Sequence, residues 1–212
     1  VDSVVAEVQQ LAADGVKEIN LIAQDTTSYG VDLAGHSLLP ELLRQLVKID
    51  GIRWIRLFYL YPHYFTDELM DLIVKEEKIC PYVDLPLQHI SQTVLQRMNR
   101  RDSEEDVRRL MKKLCSHGRK LTLRSTFIVG FPGETEEEFQ ELCEFVKETE
   151  FDDVGVFTYS QEDGTPAALM DDQIPEEVKE NGITSSWPSR PRYRKSATRN
   201  WKALSIRCSS KK

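Results

Sequence analysis

The sequence predicts an α/β protein with a parallel sheet, either closed as a barrel or open and doubly wound. Five short apolar runs begin near residues 18, 53, 82, 121 and 153, and helical sequence follows each of them. Strands that alternate with helices form βαβ units, whose strands run parallel. The chain has 212 residues, of which 40% are hydrophobic, and it contains no apolar run of the roughly 18 residues that a membrane span needs.

Apolar spacing and capping residues predict the elements in chain order. The predicted strands cover 18–23, 54–60, 82–87, 121–129 and 154–159. The predicted helices cover 4–14, 38–49, 66–74, 91–98, 103–118 and 135–148. Thr66 and Ser91 are predicted N-caps, and Thr135 with Glu138 is predicted to form a capping box. Pro86 weakens the end of the third strand, because proline has no N–H for the ladder.

Charge divides the chain into two predicted segments, 1–180 and 181–212. Nine of the 28 Lys/Arg and none of the 35 Asp/Glu lie in the second segment. The first segment therefore carries a net charge of −16 and the second +9. Such an acidic body and basic tail are not one homogeneous domain.

The cysteines point to a reducing compartment. They stand 35, 28 and 65 residues apart at Cys80, Cys115, Cys143 and Cys208, without a C-x-x-C pair. This spacing favours neither a zinc site nor a disulfide framework. No basic and apolar leader is visible at the start of the sequence. We predict a cytosolic protein.

Polar residues and glycines follow the predicted strands, where ligands of parallel α/β folds bind. They are Gln24, Asp25, His63, Gln88, His89, Gly130, Gly133, Glu134 and Tyr159. Each also has a structural interpretation. Gln24-Asp25 would suit a helix-capping loop, and each histidine would suit a hydrogen-bonded structural role. The segment 130–135 would suit either a tight turn or an anion site beside a helix N-terminus.

Four arginines also have both a ligand-binding and a structural interpretation. Arg124 stands on a mostly apolar strand, where a charge needs an anionic partner such as a bound ligand. Arg97, Arg100 and Arg101 would contact phosphate or lie at a solvated helix end, and we favour the solvated end.

Five segments resemble the radical S-adenosylmethionine methylthiotransferases, and the likeness covers about residues 1–180. They are LIAQDTTSYG (21–30), PLQHIS (86–91), VLQRMNRR (94–101), LRSTFIVGFPGETEEEF (123–139) and FTYSQEDGTPA (157–167). QDT, YLYP, PLQH and LRST look like the RimO type, which modifies an aspartate of a small-subunit ribosomal protein. The alternative branch, the MiaB type, modifies an adenosine of tRNA and tends towards QN and PVQSGS at these places.

The resemblance implies a partial (βα)6 barrel whose second to sixth strands are the five predicted here. It implies that adenosylmethionine lies across the carboxyl ends of the strands. Gln24 and Asp25 would lie near its methionine end, Gln88 and Arg124 near its ribose and carboxylate, and Gly130, Gly133 and Glu134 near its adenine. The parent enzyme would use one adenosylmethionine to methylate sulfur and another to abstract hydrogen from the aspartate β-carbon.

The family's C-x3-C-x2-C, which holds a [4Fe–4S] cluster after the first strand, does not occur in this sequence. None of the four cysteines can replace it, so we predict no metal ligands here and an inert isolated chain. A non-catalytic barrel that binds adenosylmethionine or ribosomal partners is a further alternative. Neither G-x-G-x-x-G nor a P-loop points to another cofactor.

The tail from Asn181 departs from the resemblance and has two interpretations. Clustered Lys/Arg with Trp187, Tyr193 and Trp201 would form an RNA-binding arm. Alternatively, a shift of reading frame near Asn181 replaces an acidic helix that begins RYH, and we favour this interpretation. We predict a monomer.

Overall fold

The computed structural model describes residues 1–116, 121–185 and 187, together with the backbone of 193–195. The helices are α1 (Asp2–Ala13), α2 (Val31–Ala34), α3 (Leu39–Leu46), α4 (Asp67–Lys75), α5 (Gln92–Arg97), α6 (Glu104–Ser116), α7 (Glu136–Thr149) and α8 (Glu176–Ser185). The strands are β1 (Glu18–Leu21), β2 (Trp54–Leu57), β3 (Tyr82–Gln88), β4 (Thr122–Val129), β5 (Asp153–Thr158) and β6 (Tyr193–Lys195). Short 3₁₀ turns form at Pro62–Tyr64 and Pro166–Leu169. Within these residues, no helix is both long and apolar enough to cross a membrane.

All strand pairs run parallel and follow chain order. β1 pairs with β2, and β3, β4, β5 and β6 pair in sequence. A bridge between Ile55 and Ile79 and a hydrogen bond from Leu60 N to Asp84 O (2.9 Å) join the two groups. The predicted parallel α/β fold is confirmed. The strands of the described part of the chain form an open, barrel-like wall without closing it.

Burial alternates along β4 and defines the two sides of the wall. Leu123, Ser125, Phe127 and Val129 are buried, whereas the residues between them are partly exposed. The buried set faces the helices, since side chains of a strand alternate between its two sides. Phe127 is fully buried among the rings of the core. The other set, which includes Arg124, therefore faces the open interior.

Pro86 produces a bulge in β3 and does not end the strand. The pairing of β3 with β4 shifts register between Leu85 and Gln88. Ser125 repairs the interruption, because its Oγ donates to Leu85 O (2.7 Å) and accepts from Leu87 N (3.4 Å). The bulge carries the chain into Gln88, whose φ of 67° lies in the left-handed region.

The predicted caps are confirmed. Thr66 accepts from Leu69 N (3.2 Å), Ser91 accepts from Val94 N (3.4 Å), and Thr135 forms the capping box with Glu138. The predicted helix end at Gly118 lies outside the described residues.

The sequence did not predict α2, α8 or β6. α8 crosses the predicted boundary between residues 180 and 181, Trp187 is buried against Phe127 and Phe139, and Tyr193–Lys195 pair with β5. The other residues of the predicted basic tail lie outside the described part. The division into 1–180 and 181–212 therefore stays a prediction.

Candidate functional site

A cavity of about 470 Å³ opens at the carboxyl ends of β3, β4 and β5. Its lining residues are Gln88, Arg97, Met98, Asn99, Arg100, Ile128, Phe131, Tyr159, Thr165, Pro166, Ala167 and Met170. The surface that the walls expose to the cavity is mainly apolar, although six of the twelve side chains carry polar or charged groups. This composition is typical of small-molecule sites at the ends of parallel strands.

Three polar atoms of residues that line this cavity are buried without a hydrogen-bond partner among the described residues. They are Oε1 of Gln88, the hydroxyl of Tyr159 and Nε of Arg100. A buried polar group without a partner costs about 1–3 kcal/mol. Gln88 also has a left-handed backbone, and such strain is common at binding sites. Both observations mark this cavity as the candidate site.

The loop 130–134, which we call the glycine loop, forms one wall of the cavity, and the side chain of Glu134 holds this loop closed. The carboxylate oxygen Oε2 of Glu134 accepts from the backbone N–H of Gly130 and of Phe131, the latter at 3.1 Å. Gly130 and Gly133 have φ values of 73° and 75°, which other residues rarely adopt. The turn predicted from Pro132-Gly133 is confirmed, and it presents the ring of Phe131 to the cavity.

Lys179 of α8 supports the opposite wall. Its buried Nζ donates to Tyr159 O (2.8 Å) and lies 5.4 Å from the centre of the Tyr159 ring. The Tyr159 ring in turn packs edge-on against Phe131, with 5.2 Å between the ring centres. A Cβ at Gly130 would overlap the Lys179 stem, so only glycine permits this packing. The helix α8 is thereby joined to both walls of the cavity.

The segment 160–175 covers the cavity. Thr165 caps its 3₁₀ turn by accepting from Ala168 N (3.2 Å), and Gln173 Nε2 donates to Ala167 O (2.9 Å) and to Met170 O (3.0 Å). Asp172 O accepts from Gly133 N (2.8 Å), which fixes the segment to the glycine loop. Part of this segment belongs to the family motif at 157–167, but nothing in its local pattern predicts that it folds over the strand ends.

Arg124 lies on the interior side of the wall and has a protein partner. Its Nη1 donates to Oδ1 of Asp84 (2.6 Å), and its Nε lies 3.5 Å from Oδ2 of Asp153. Asp84 is fully buried, and its Oδ2 accepts from Tyr59 N (3.2 Å). Burial is the largest single effect and lowers the pKa of Arg124, but the hydrogen bond to Asp84 and the negative charges of Asp84 and Asp153 together outweigh it, so the pKa is raised. The anionic partner that the sequence requires is therefore present within the chain, and contact of Arg124 with a ligand stays a prediction.

Gln24 and Asp25 do not line the cavity at the strand ends, which we call the Gln88 cavity. The Asp25 carboxylate accepts from the Thr27 hydroxyl and from Ser28 N (3.1 Å), so it caps its own loop, as the structural interpretation expects. Asp25 also lines a separate cavity of about 240 Å³ beside α1 and β1, whereas Gln24 is exposed. Their role near the methionine end of a ligand stays a prediction.

The arginines after β3 differ from the expected solvated helix end. Arg100 is 9% exposed in its side chain, lies over the Tyr61 ring, and donates to Pro86 O (3.2 Å) and Asp102 (3.1 Å). Arg97 donates to Gly133 O. The expectation was wrong for these two residues, because the β3 bulge and the glycine loop place acceptors within their reach. Arg101 is exposed, as expected.

The described cysteines do not form a metal site. Cys80 and Cys143 are buried and Cys115 is exposed, and no disulfide joins these three described cysteines. Burial raises the pKa of Cys143 to about 12, which disfavours the thiolate that metals bind. No group of three or more His, Cys, Asp or Glu that could hold a metal ion occurs in the described part of the chain.

Comparison with known proteins identifies the family. The model of the radical SAM superfamily matches residues 1–146. The chain belongs to this superfamily.

Two curated relatives that match this chain are named as the same type of enzyme. The ribosomal protein uS12 methylthiotransferase RimO of Geotalea uraniireducens is 54% identical over 178 residues, and that of Clostridium botulinum strain Loch Maree is 52% identical over 179 residues. Each match covers 84% of this chain and 40% of the relative. The chain therefore spans less than half the length of these relatives.

Solved structures support the fold alone. Coproporphyrinogen III oxidase HemN of Escherichia coli, a radical SAM enzyme, superposes with a TM-score of 0.64 at 18% identity. That match covers 86% of this chain and 44% of HemN. The methyltransferase TsrM of Kitasatospora setae superposes with a TM-score of 0.58 at 22% identity, over 74% of this chain and 30% of TsrM. The open parallel wall is thus a partial TIM-like fold of the radical SAM kind.

Proposed function

We propose that this chain is the adenosylmethionine-binding core of a methylthiotransferase that modifies an aspartate of the small-subunit ribosomal protein uS12. The observation that carries the proposal is the Gln88 cavity, defined above by its twelve lining residues. It lies at the carboxyl ends of the strands in a chain of the radical SAM superfamily. The curated relatives named for this activity are more than half identical to the chain where they match.

The residues of the cavity fit the nucleoside end of adenosylmethionine. Ile128, Phe131 and Met170 offer apolar surface to a flat purine, and the unpartnered oxygens of Gln88 and Tyr159 offer hydrogen bonds to its polar edge or to the ribose. A ligand that bonds these oxygens removes the cost of leaving them unpaired. Adenosylmethionine supplies the methyl group and the hydrogen-abstracting group of the proposed reaction.

The chain's own part in the reaction is to bind and orient. Glu134 holds the glycine loop closed by accepting two backbone N–H groups, which sets the position of Phe131. Lys179 fixes the carbonyl and ring of Tyr159 from the other side. The segment 160–175 keeps water from the bound nucleoside. Because these contacts join residues of the chain itself, they would hold the walls of the cavity in place for the ligand.

The described residues do not fit a [4Fe–4S] cluster. A cluster is held by thiolates, and the described cysteines are single, two of them buried. For the relatives' activity, the cluster's ligands would come from a part of the parent protein that this sequence does not contain.

The proposed protein partner is uS12, which the names of the relatives specify. Contact of the basic tail with RNA and a monomeric state stay predictions.

Calorimetric titration with S-adenosylmethionine tests the binding part of the proposal. The chain is expected to bind it, and Gln88→Ala is expected to weaken binding about tenfold, since one buried hydrogen bond is lost. Gln140→Ala is the matched control, because Gln140 is exposed on α7 and its side chain bonds that of Glu136 of the same helix, away from the cavity lining. Equal affinities of the two variants would exclude the Gln88 cavity as the site.

A chimera tests the catalytic part. Residues 1–180 replace the matching segment of the Geotalea uraniireducens RimO, and mass spectrometry follows uS12 and tRNA after reaction. A methylthio group on uS12 is expected. A folded chimera that binds S-adenosylmethionine but leaves uS12 unmodified would contradict the proposal, and a methylthio group on tRNA would support the MiaB type instead.

A further inference from the structure

His89 is a fully buried histidine directly after Gln88, and it does not line the cavity. Its ring lies between two neighbouring elements. Nδ1 faces the backbone N–H of Ser91 at 3.0 Å, and Nε2 faces Oε1 of Glu134 at 3.4 Å. The histidine therefore connects the end of β3 to the glycine loop after β4.

The contacts determine which ring nitrogen carries the proton. The N–H of Ser91 can only donate, so Nδ1 must be the acceptor. In the neutral ring the proton then lies on Nε2, which points at the Glu134 carboxylate. Both ring nitrogens are thus used, and the donor is directed at the residue that closes the glycine loop.

Glu134 depends on this donor for its orientation. Its side chain is 3% exposed, and Oε2 already accepts from Gly130 N and Phe131 N. Among the described side chains, only His89 is recorded as bonding Oε1. A buried carboxylate oxygen without a donor is costly, so loss of the His89 donor favours a rotated Glu134 that no longer holds both amides.

We propose that His89 is a positioning residue, which acts through Glu134 to set the glycine loop and the Phe131 wall of the nucleoside cavity. This inference rests on the proposed function, because it assigns His89 a part in adenosylmethionine binding. A second contact supports the same junction: Ser91 Oγ donates to Oε1 of Glu138 (2.9 Å), the capping-box residue of α7.

Two amide variants separate the two nitrogens of His89. A glutamine amide can reach the position of Nε2 and donate to Glu134, whereas an asparagine amide reaches only the position of Nδ1. Both variants remove the imidazole from the same buried place. His89→Gln is therefore the rescue variant and His89→Asn the test variant, with similar packing losses.

The experiment measures backbone amide exchange at Gly130 and Phe131 and, on the same 212-residue proteins, the affinity for S-adenosylhomocysteine. In His89→Asn, exchange is expected to be about tenfold faster and binding about tenfold weaker, the change for one lost charge-assisted hydrogen bond. His89→Gln is expected to stay within about threefold of the unsubstituted chain in both exchange and affinity, because its amide keeps a donor to Glu134. Equal behaviour of the two variants, fast or slow, would overturn the proposal.

A measurement on the parent chain needs no variant. Ring ¹⁵N shifts of His89 are expected to report the Nε2–H tautomer, and the Nδ1–H tautomer would overturn the inference. If exchange follows the donor but the parent chain does not bind S-adenosylhomocysteine, the proposed function fails and the contact between His89 and Glu134 stands.

Discussion

Substitution of Gly130 by alanine tests how Lys179 of α8 packs against the wall of the cavity. Gly130 has a φ of 73°, and a new Cβ would overlap the side-chain stem of Lys179. The left-handed backbone alone costs alanine about 1–2 kcal/mol. Displacing Lys179 also breaks its charged hydrogen bond to Tyr159 O, which contributes about 1.5–3 kcal/mol. The expected loss in the free energy of unfolding is therefore about 2.5–5 kcal/mol.

Gly133→Ala is the matched control. Gly133 has a φ of 75°, but its new Cβ would meet only the guanidinium at the far end of the Arg97 side chain, at 3.2 Å. Its expected loss is the backbone cost of about 1–2 kcal/mol. Urea unfolding followed by far-ultraviolet circular dichroism measures both variants. In a Lys179→Ala background, Gly130→Ala is expected to cost only that backbone amount. Equal losses for the two glycines, or an unchanged loss in that background, would refute the packing of Lys179 on Gly130.

Three further predictions concern charge, pH and metal. Asp84→Ala is expected to lower the free energy of unfolding by about 3–5 kcal/mol, because it removes the buried partner of Arg124 and leaves Tyr59 N without its acceptor. Asp153→Ala is expected to change it by less than about 1 kcal/mol, and equal losses in urea unfolding would contradict this. Burial and the nearby Asp84 raise the pKa of Tyr82 to about 12, so its contribution to stability is complete below pH 10 and is lost as the pH rises towards 12. The decline of the free energy of unfolding between pH 10 and 12 is expected to be shallower in Tyr82→Phe. Identical pH profiles of stability for the two proteins would contradict this prediction. Anaerobic reconstitution of the chain with iron and sulfide is expected to give no stoichiometric cluster absorbance. A stoichiometric cluster would contradict this prediction, because it would show that the cysteines of this chain can hold one.

Most of the fold could be predicted because its signals are local. Each of the strands β1 to β5 lies in an apolar run, and Thr66, Ser91 and Thr135 cap the helices that they begin. These patterns act over a few residues and do not depend on the rest of the chain. The β3 bulge was harder to foresee, since the hydroxyl that permits Pro86 in the strand comes from Ser125, almost forty residues later.

The candidate site was only partly predictable. The carboxyl ends of the strands drew attention to Gln88 and to the glycine loop, and Gln88 and Phe131 of that loop do line one cavity. Asp84 was missed as the partner of Arg124, because it is a single acid within an apolar run and its pairing depends on strand register. The covering segment and Lys179 were missed because their contacts are set by tertiary packing.

Chemical-shift mapping with S-adenosylhomocysteine tests the central claim most directly. The 212-residue chain is titrated while its backbone amide signals are followed. The proposed site predicts saturable shifts concentrated at Gln88, Phe131 and Tyr159, the residues that line the cavity at the strand ends. Shifts confined to the separate cavity beside α1 and Asp25, or no shifts at all, would contradict it.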